Sequence, residues 1–69
     1  MGFYVSDEFR TNELSLTPGG SIVVVNYKNG ESMAYDKIKK PAGYVYRIVQ
    51  TAGEKIESIY VDQELVYKT

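Results

Sequence analysis

The residues of this chain best suited to chemistry are cations and phenol rings set close together. Lys37, Lys39, Lys40 and Arg47 lie near Tyr35, Tyr44 and Tyr46. Ammonium and guanidinium groups bind phosphates and carboxylates, and neighbouring rings offer stacking surface. One assignment is therefore a single-stranded nucleic-acid site built from Lys37, Lys39, Lys40, Arg47 and Tyr44. Overall charge weighs against it. Eight basic residues face nine acidic ones, for a net charge of −1 and a pI of about 5.3, whereas a dedicated nucleic-acid domain ordinarily carries a strong basic footprint. No RNP-type aromatic motif, GXXG loop or zinc knuckle is present.

Catalytic constellations are scarce. The chain has no His and no Cys, which removes the commonest general base, thiolate zinc sites and disulfides. Serines, threonines and tyrosines are numerous, but nothing marks a particular Ser and Lys as partners. The carboxylate pairs Asp7-Glu8 and Asp62/Glu64 have the types needed for acid–base work or for a hard cation. Both fall where turns are expected, and Asp62-Gln63-Glu64 lacks the ligand count and glycine of an EF-hand loop. Gly19-Gly20 precedes a strand rather than a helix, so it reads as a turn and not as a phosphate cradle. No catalytic residue, cofactor or metal is assigned, and the chain is expected not to be an enzyme.

The tyrosines point to docking. There are seven, at positions 4, 27, 35, 44, 46, 60 and 67, with no Trp and two Phe. A buried phenol must satisfy its hydroxyl, so several are expected at the core boundary, where tyrosine also serves as an interface anchor. The expected protein-binding residues are Tyr44, Tyr46 and Arg47 from one element, with Ile22 and Val24 from another. The favoured function is a non-enzymatic protein-interaction module. Size and composition suit a phage or mobile-element accessory protein that binds and modulates a host protein, with nucleic acid as the alternative partner. Lack of Cys fits a reducing cytoplasm. The start, Met1-Gly2-Phe3-Tyr4-Val5 followed by Ser6-Asp7-Glu8, is too short and acidic for a secretory signal, and its Met-Gly-x-x-x-Ser match to a myristoylation pattern is read as chance. No apolar run approaches the ~20 residues that span a bilayer.

These side chains must be held by a small scaffold. Sixty-nine residues make a single domain near the lower limit for a self-sufficient core, with an expected stability of about 3–5 kcal/mol. With no disulfide available, a homodimer is one route to further burial. Charge is segmented: residues 1–27 are net −2, residues 28–47 net +3 and residues 48–69 net −2.

Asn29-Gly30 separates two β-rich runs, Ser21–Lys28 and Glu31–Ile38, and predicts a hairpin. Ile22-Val23-Val24-Val25 is a β-branched run that favours a strand. A two-residue turn would pair Val25 with Ala34. A three-residue loop with Gly30 left-handed would pair Val25 with Met33 and Val23 with Tyr35. The second register gathers Val23, Val25, Tyr27, Met33 and Tyr35 on one face and is preferred. The other face, with Ile22, Val24 and Ala34, is incompletely polar and is expected to be covered in part by the N-terminal segment or a partner.

Residues 41–52 are rich in strand formers, yet Pro41, Ala42, Val45, Ile48, Val49 and Ala52 share one helical arc. Pro41 suits a first turn, and Gly53 a left-handed stop. Residues 56–61 and 65–67 read as strands separated by Asp62-Gln63-Glu64, and Thr17-Pro18-Gly19-Gly20 as a breaker. The N-terminal 13 residues lack a clear period and are expected to be less ordered, with short strands at Phe3–Val5 and Glu13–Leu16. The predicted fold is an α+β two-layer sandwich, ββαββ with an added N-terminal strand, its helix lying on an antiparallel sheet. The alternative makes residues 43–50 a strand and yields an SH3-like small barrel.

Overall fold

The β-branched run at residues 22–25 does form a strand, and the tight turn after it returns the chain alongside. In a computed structural model, which describes residues 16–69 and the backbone of Phe3–Tyr4, the elements in chain order are β1 (Phe3–Tyr4), β2 (Ser21–Tyr27), β3 (Ser32–Ile38), α1 (Pro41–Ala52), β4 (Ile56–Val61) and β5 (Glu64–Lys68). All pairings are antiparallel, in the order β1-β5-β4-β2-β3. The two end strands do not pair with each other, so the sheet is open and the barrel alternative does not apply. Among the described residues the fold is a small α+β sandwich of one helix on one sheet. The remainder of residues 1–15 lies outside the described residues, and with it all of the expected strand Glu13–Leu16 except Leu16, which is in coil and exposed.

The central hairpin adopts the three-residue register. Val23 opposes Tyr35 and Val25 opposes Met33. The Tyr27 amide donates to the Glu31 carbonyl at 2.8 Å, and the Gly30 amide to the Tyr27 carbonyl at 3.1 Å. Gly30 has φ +94°, a conformation that costs glycine little and other residues more. Asn29 finishes the turn by accepting the Glu31 amide on its side-chain oxygen at 2.9 Å.

Helical period prevails over strand propensity across residues 41–52. Pro41, Ala42 and Val45 are buried, Ile48, Val49 and Ala52 half-buried, and Arg47, Gln50 and Thr51 exposed. Burying a continuous apolar stripe outweighs the small per-residue helix penalty of Val, Ile and Tyr. The expected left-handed stop at Gly53 does not occur. Gly53 is right-handed, with φ −56°, and its amide donates to the Val49 carbonyl. The chain instead tightens into a 3₁₀ turn, Gly53–Lys55, which delivers Ile56 into the core.

Val23, Val25, Val45, Ile56, Ile59, Val61, Val66 and Tyr67 form the buried core between α1 and the sheet. Three joints of the sheet each carry one extra residue. Lys37 is extra on β3, Glu57 on β4 and Val66 on β5. The Glu57 bulge brings Ile56 to the same face as Ile59, although strict alternation would oppose them. At the Lys37 bulge the backbone is left-handed, with φ +59°. Gly20 (φ +78°) packs directly beneath it, and a β-carbon there would lie 2.6 Å from the Lys37 Cα.

Val61 and Glu64 flank a two-residue turn in which Asp62 (φ +50°) and Gln63 (φ +71°) are both left-handed. The Ile22 amide donates to Asp62 Oδ1 at 3.1 Å, and the Asp62 amide donates to the Ile22 carbonyl at 2.9 Å, tying this turn to the start of β2. Asp62 is thus a structural acceptor. On the back of the sheet, Asn26 Nδ2 donates to Ser58 Oγ at 3.1 Å.

Candidate functional site

The basic middle of the sequence folds around one cleft. The bulged end of β3 places Lys37, the β3–α1 connection supplies Lys39 and Lys40, and the first turns of α1 add Tyr44, Tyr46 and Arg47. Ile38 and Gly43 complete the wall of an open cleft of about 690 Å³. All five positions expected for nucleic acid, Lys37, Lys39, Lys40, Arg47 and Tyr44, line this cleft.

The charges of its described residues are of one sign. No carboxylate is among the described residues that line it. Lys40 is the N-cap of α1 and makes no side-chain cap, and the first turn holds no acidic residue, so the positive end of the helix dipole adds to the lysines. The first intrahelical bond runs from the Tyr44 amide to the Lys40 carbonyl at 2.9 Å. The cleft therefore favours an anion.

The aromatic residues divide into a packed set and a free one. Tyr35 and Tyr44 meet edge to face, with centroids 5.6 Å apart and planes at 64°. Burial raises the phenol pKa of Tyr44 above 10.0, with the neighbouring Tyr35 adding to the effect. Burial likewise raises Tyr27, reinforced by Tyr35 through charge and hydrogen bonding. Both phenols remain neutral at physiological pH and are suited to donating hydrogen bonds, the opposite of an activated phenolate base. Tyr46 is 41% exposed and keeps its ring available.

The expected protein-docking set is split between two surfaces. Tyr44, Tyr46 and Arg47 share the cationic cleft, while Ile22 and Val24 lie across the sheet, because Val23 and Val25 on the alternate positions turn into the core. Ile22 is 50% exposed, and with Val24, Tyr60, Asp62 and Gln63 it lines a separate depression of about 560 Å³. The contribution of Tyr60 to that patch was not foreseen. Its register opposite Val24 carries the signal, but only once β4 is known to lie beside β2.

Among the described residues no three His, Cys, Asp or Glu side chains group as metal ligands, and no helix is long and apolar enough to cross a membrane. No family model matches this sequence, and no curated protein or solved structure is significantly similar to it.

Proposed function

We propose that the protein is a non-enzymatic interaction module that docks an acidic segment of another protein into the cleft between the end of β3 and α1. The carrying observation is the lining itself: four cations and an exposed tyrosine surround one concavity, with no carboxylate among its described residues. Arg and Tyr are the side chains most often found as binding anchors, and a one-signed lining discriminates against basic or neutral segments. Lys39 and Lys40 would steer the partner, Arg47 would hold a carboxylate bidentately, and Tyr46 would cover the docked segment. Small size and the lack of a catalytic constellation suit an accessory protein of a phage or mobile element, acting by occupying a host protein.

Single-stranded nucleic acid is the second reading, favoured by the convergence of Lys37, Lys39, Lys40, Arg47 and Tyr44 on the same cleft. It ranks lower because strand binders offer successive free rings, and here Tyr44 is engaged by Tyr35. The acidic remainder of the chain would also repel a long polyanion.

Fluorescence anisotropy separates the two readings. A labelled peptide alternating Glu with Leu and a labelled oligothymidylate are titrated at about 50 and about 200 mM salt. The peptide is expected to bind, and Lys39→Glu/Lys40→Glu to weaken it by about tenfold or more. Tighter binding of the oligonucleotide at both salt concentrations would transfer the cleft to nucleic acid. Absence of binding by either probe would overturn the cleft as the working surface.

A further inference from the structure

Strand β3 ends the sheet, and Ser32, Met33, Ala34 and Asp36 along it are exposed. The phase of the β2–β3 ladder decides which main-chain groups face outward. The Tyr27 amide bonds the Glu31 carbonyl, which makes that couple a hydrogen-bonded one, and bonded and non-bonded couples alternate along antiparallel strands. Val25–Met33 and Val23–Tyr35 are then bonded, while Asn26–Ser32 and Val24–Ala34 are not. The N–H and C=O groups of Ser32, Ala34 and Asp36 consequently point away from β2. Met33, on the helix side of the sheet, is 49% exposed beside them.

We propose that this edge pairs antiparallel with the same edge of a second copy of the chain, about a two-fold axis through Ala34. The occupant follows from self-complementarity. In this register Ala34 faces Ala34, Met33 faces Tyr35, Ser32 faces Asp36, and Glu31 comes level with Lys37 of the second copy. Apolar meets apolar, a hydroxyl donor meets a carboxylate, and opposite charges close both ends of the ladder. Other axes are worse. An axis through Asp36 sets two carboxylates opposite each other and runs into the Lys37 bulge. An axis through Ser32 runs into the Asn29-Gly30 turn. The Ala34 axis engages every outward group from Ser32 to Asp36 and forms about six main-chain hydrogen bonds. The interface is isologous, so it closes as a dimer.

Sedimentation equilibrium from micromolar to millimolar protein tests the proposal, with far-UV circular dichroism confirming that each variant is folded. The expected result is a concentration-dependent passage from 7.8 kDa to twice that mass. Ala34→Pro removes an N–H that does not serve the β2 ladder, deleting two symmetric intermolecular bonds, and is expected to raise Kd by about tenfold or more. Glu31→Lys, which leaves the cleft lining untouched, and Lys37→Glu each set like charges opposite one another and are expected to weaken the dimer. The double variant E31K/K37E is expected to restore it. A monomer at every concentration overturns the proposal, as does a dimer indifferent to Ala34→Pro or a double variant no tighter than the singles. Hydrogen-exchange protection of the Ser32, Ala34 and Asp36 amides that arises only on adding a peptide of another protein would assign the edge to a foreign strand and equally overturn it.

Discussion

Replacing Gly20 by Ala is expected to remove most of the stability of this fold. Two costs combine at that position. The backbone is left-handed, with φ +78°, which for an L-residue costs about 1–2 kcal/mol. The new methyl would also lie 2.6 Å from Lys37 Cα and 2.8 Å from the Lys37 carbonyl carbon. Those atoms are main chain and cannot swing aside as a side-chain tip can. They also belong to the bulge that ends the β2–β3 ladder, so relief requires moving β3. Together the costs are about 2–4 kcal/mol, comparable with the whole stability of a domain this size, about 3–5 kcal/mol. With a urea m-value of about 1 kcal/mol/M, the unfolding midpoint should fall by about 2 M or more. Urea titration followed by far-UV circular dichroism and tyrosine fluorescence measures this. Gly19→Ala is the control, since no atom of the described residues lies within 4 Å of where its methyl would stand, and it should stay within about 0.5 kcal/mol of the parent. Gly20→Asn separates the two costs: Asn tolerates the left-handed backbone but retains the clash, so it should remain strongly destabilised. A Gly20→Ala protein within about 0.5 kcal/mol of the parent would refute the contact between Gly20 and the Lys37 bulge.

Gln63→Gly relieves a left-handed residue in the β4–β5 turn and is expected to raise stability by about 0.5–1 kcal/mol, read from the urea midpoint. Val45→Ala, at a fully buried helix position, should cost about 2–3 kcal/mol in the same assay. Burial raises the Tyr67 phenol above 10.0, and Tyr27 and Tyr44 shift the same way. The native state favours the neutral phenols, so their contribution holds below pH 10 and is lost as pH rises from there through the raised native values. Tyr67→Phe should therefore lose less stability than the parent between about pH 8 and about pH 11, and an equal loss in both proteins would reject burial of that hydroxyl as the cause.

Much of the fold was legible because local and long-range signals agreed. The Asn29-Gly30 turn, the β-branched run before it and the face-sorting of Val23, Val25, Met33 and Tyr35 all demanded one register. The Pro41–Ala52 helix was legible from period alone, against propensity. What escaped were the departures from a regular period beyond the Gly30 loop. Ile56 and Ile59 lie an odd number of residues apart, and only the extra residue at Glu57 lets both face inward. Lys37 holds a left-handed backbone that no feature of a lysine announces. Gly53 resembled a helix stop, yet the need to bury Ile56 keeps the chain turning right-handed. For the candidate site, sequence proximity sufficed to group Lys37, Lys39, Lys40, Tyr44, Tyr46 and Arg47. Strand alternation put Ile22 and Val24 on the other face of the hairpin, and they do lie apart from that group.

Irregularity is built into three of the four seams of the sheet, at Lys37, Glu57 and Val66. Each extra residue bends its strand and increases local coiling. Fibrillar cross-β lamellae need level strands at a uniform spacing of about 4.8 Å. To stack in that manner, this Val- and Tyr-rich ribbon would first have to straighten all three kinks, which means withdrawing Ile56 and Val66 from beneath the helix. While the native packing holds, the same defects that fill the core also guard against amyloid.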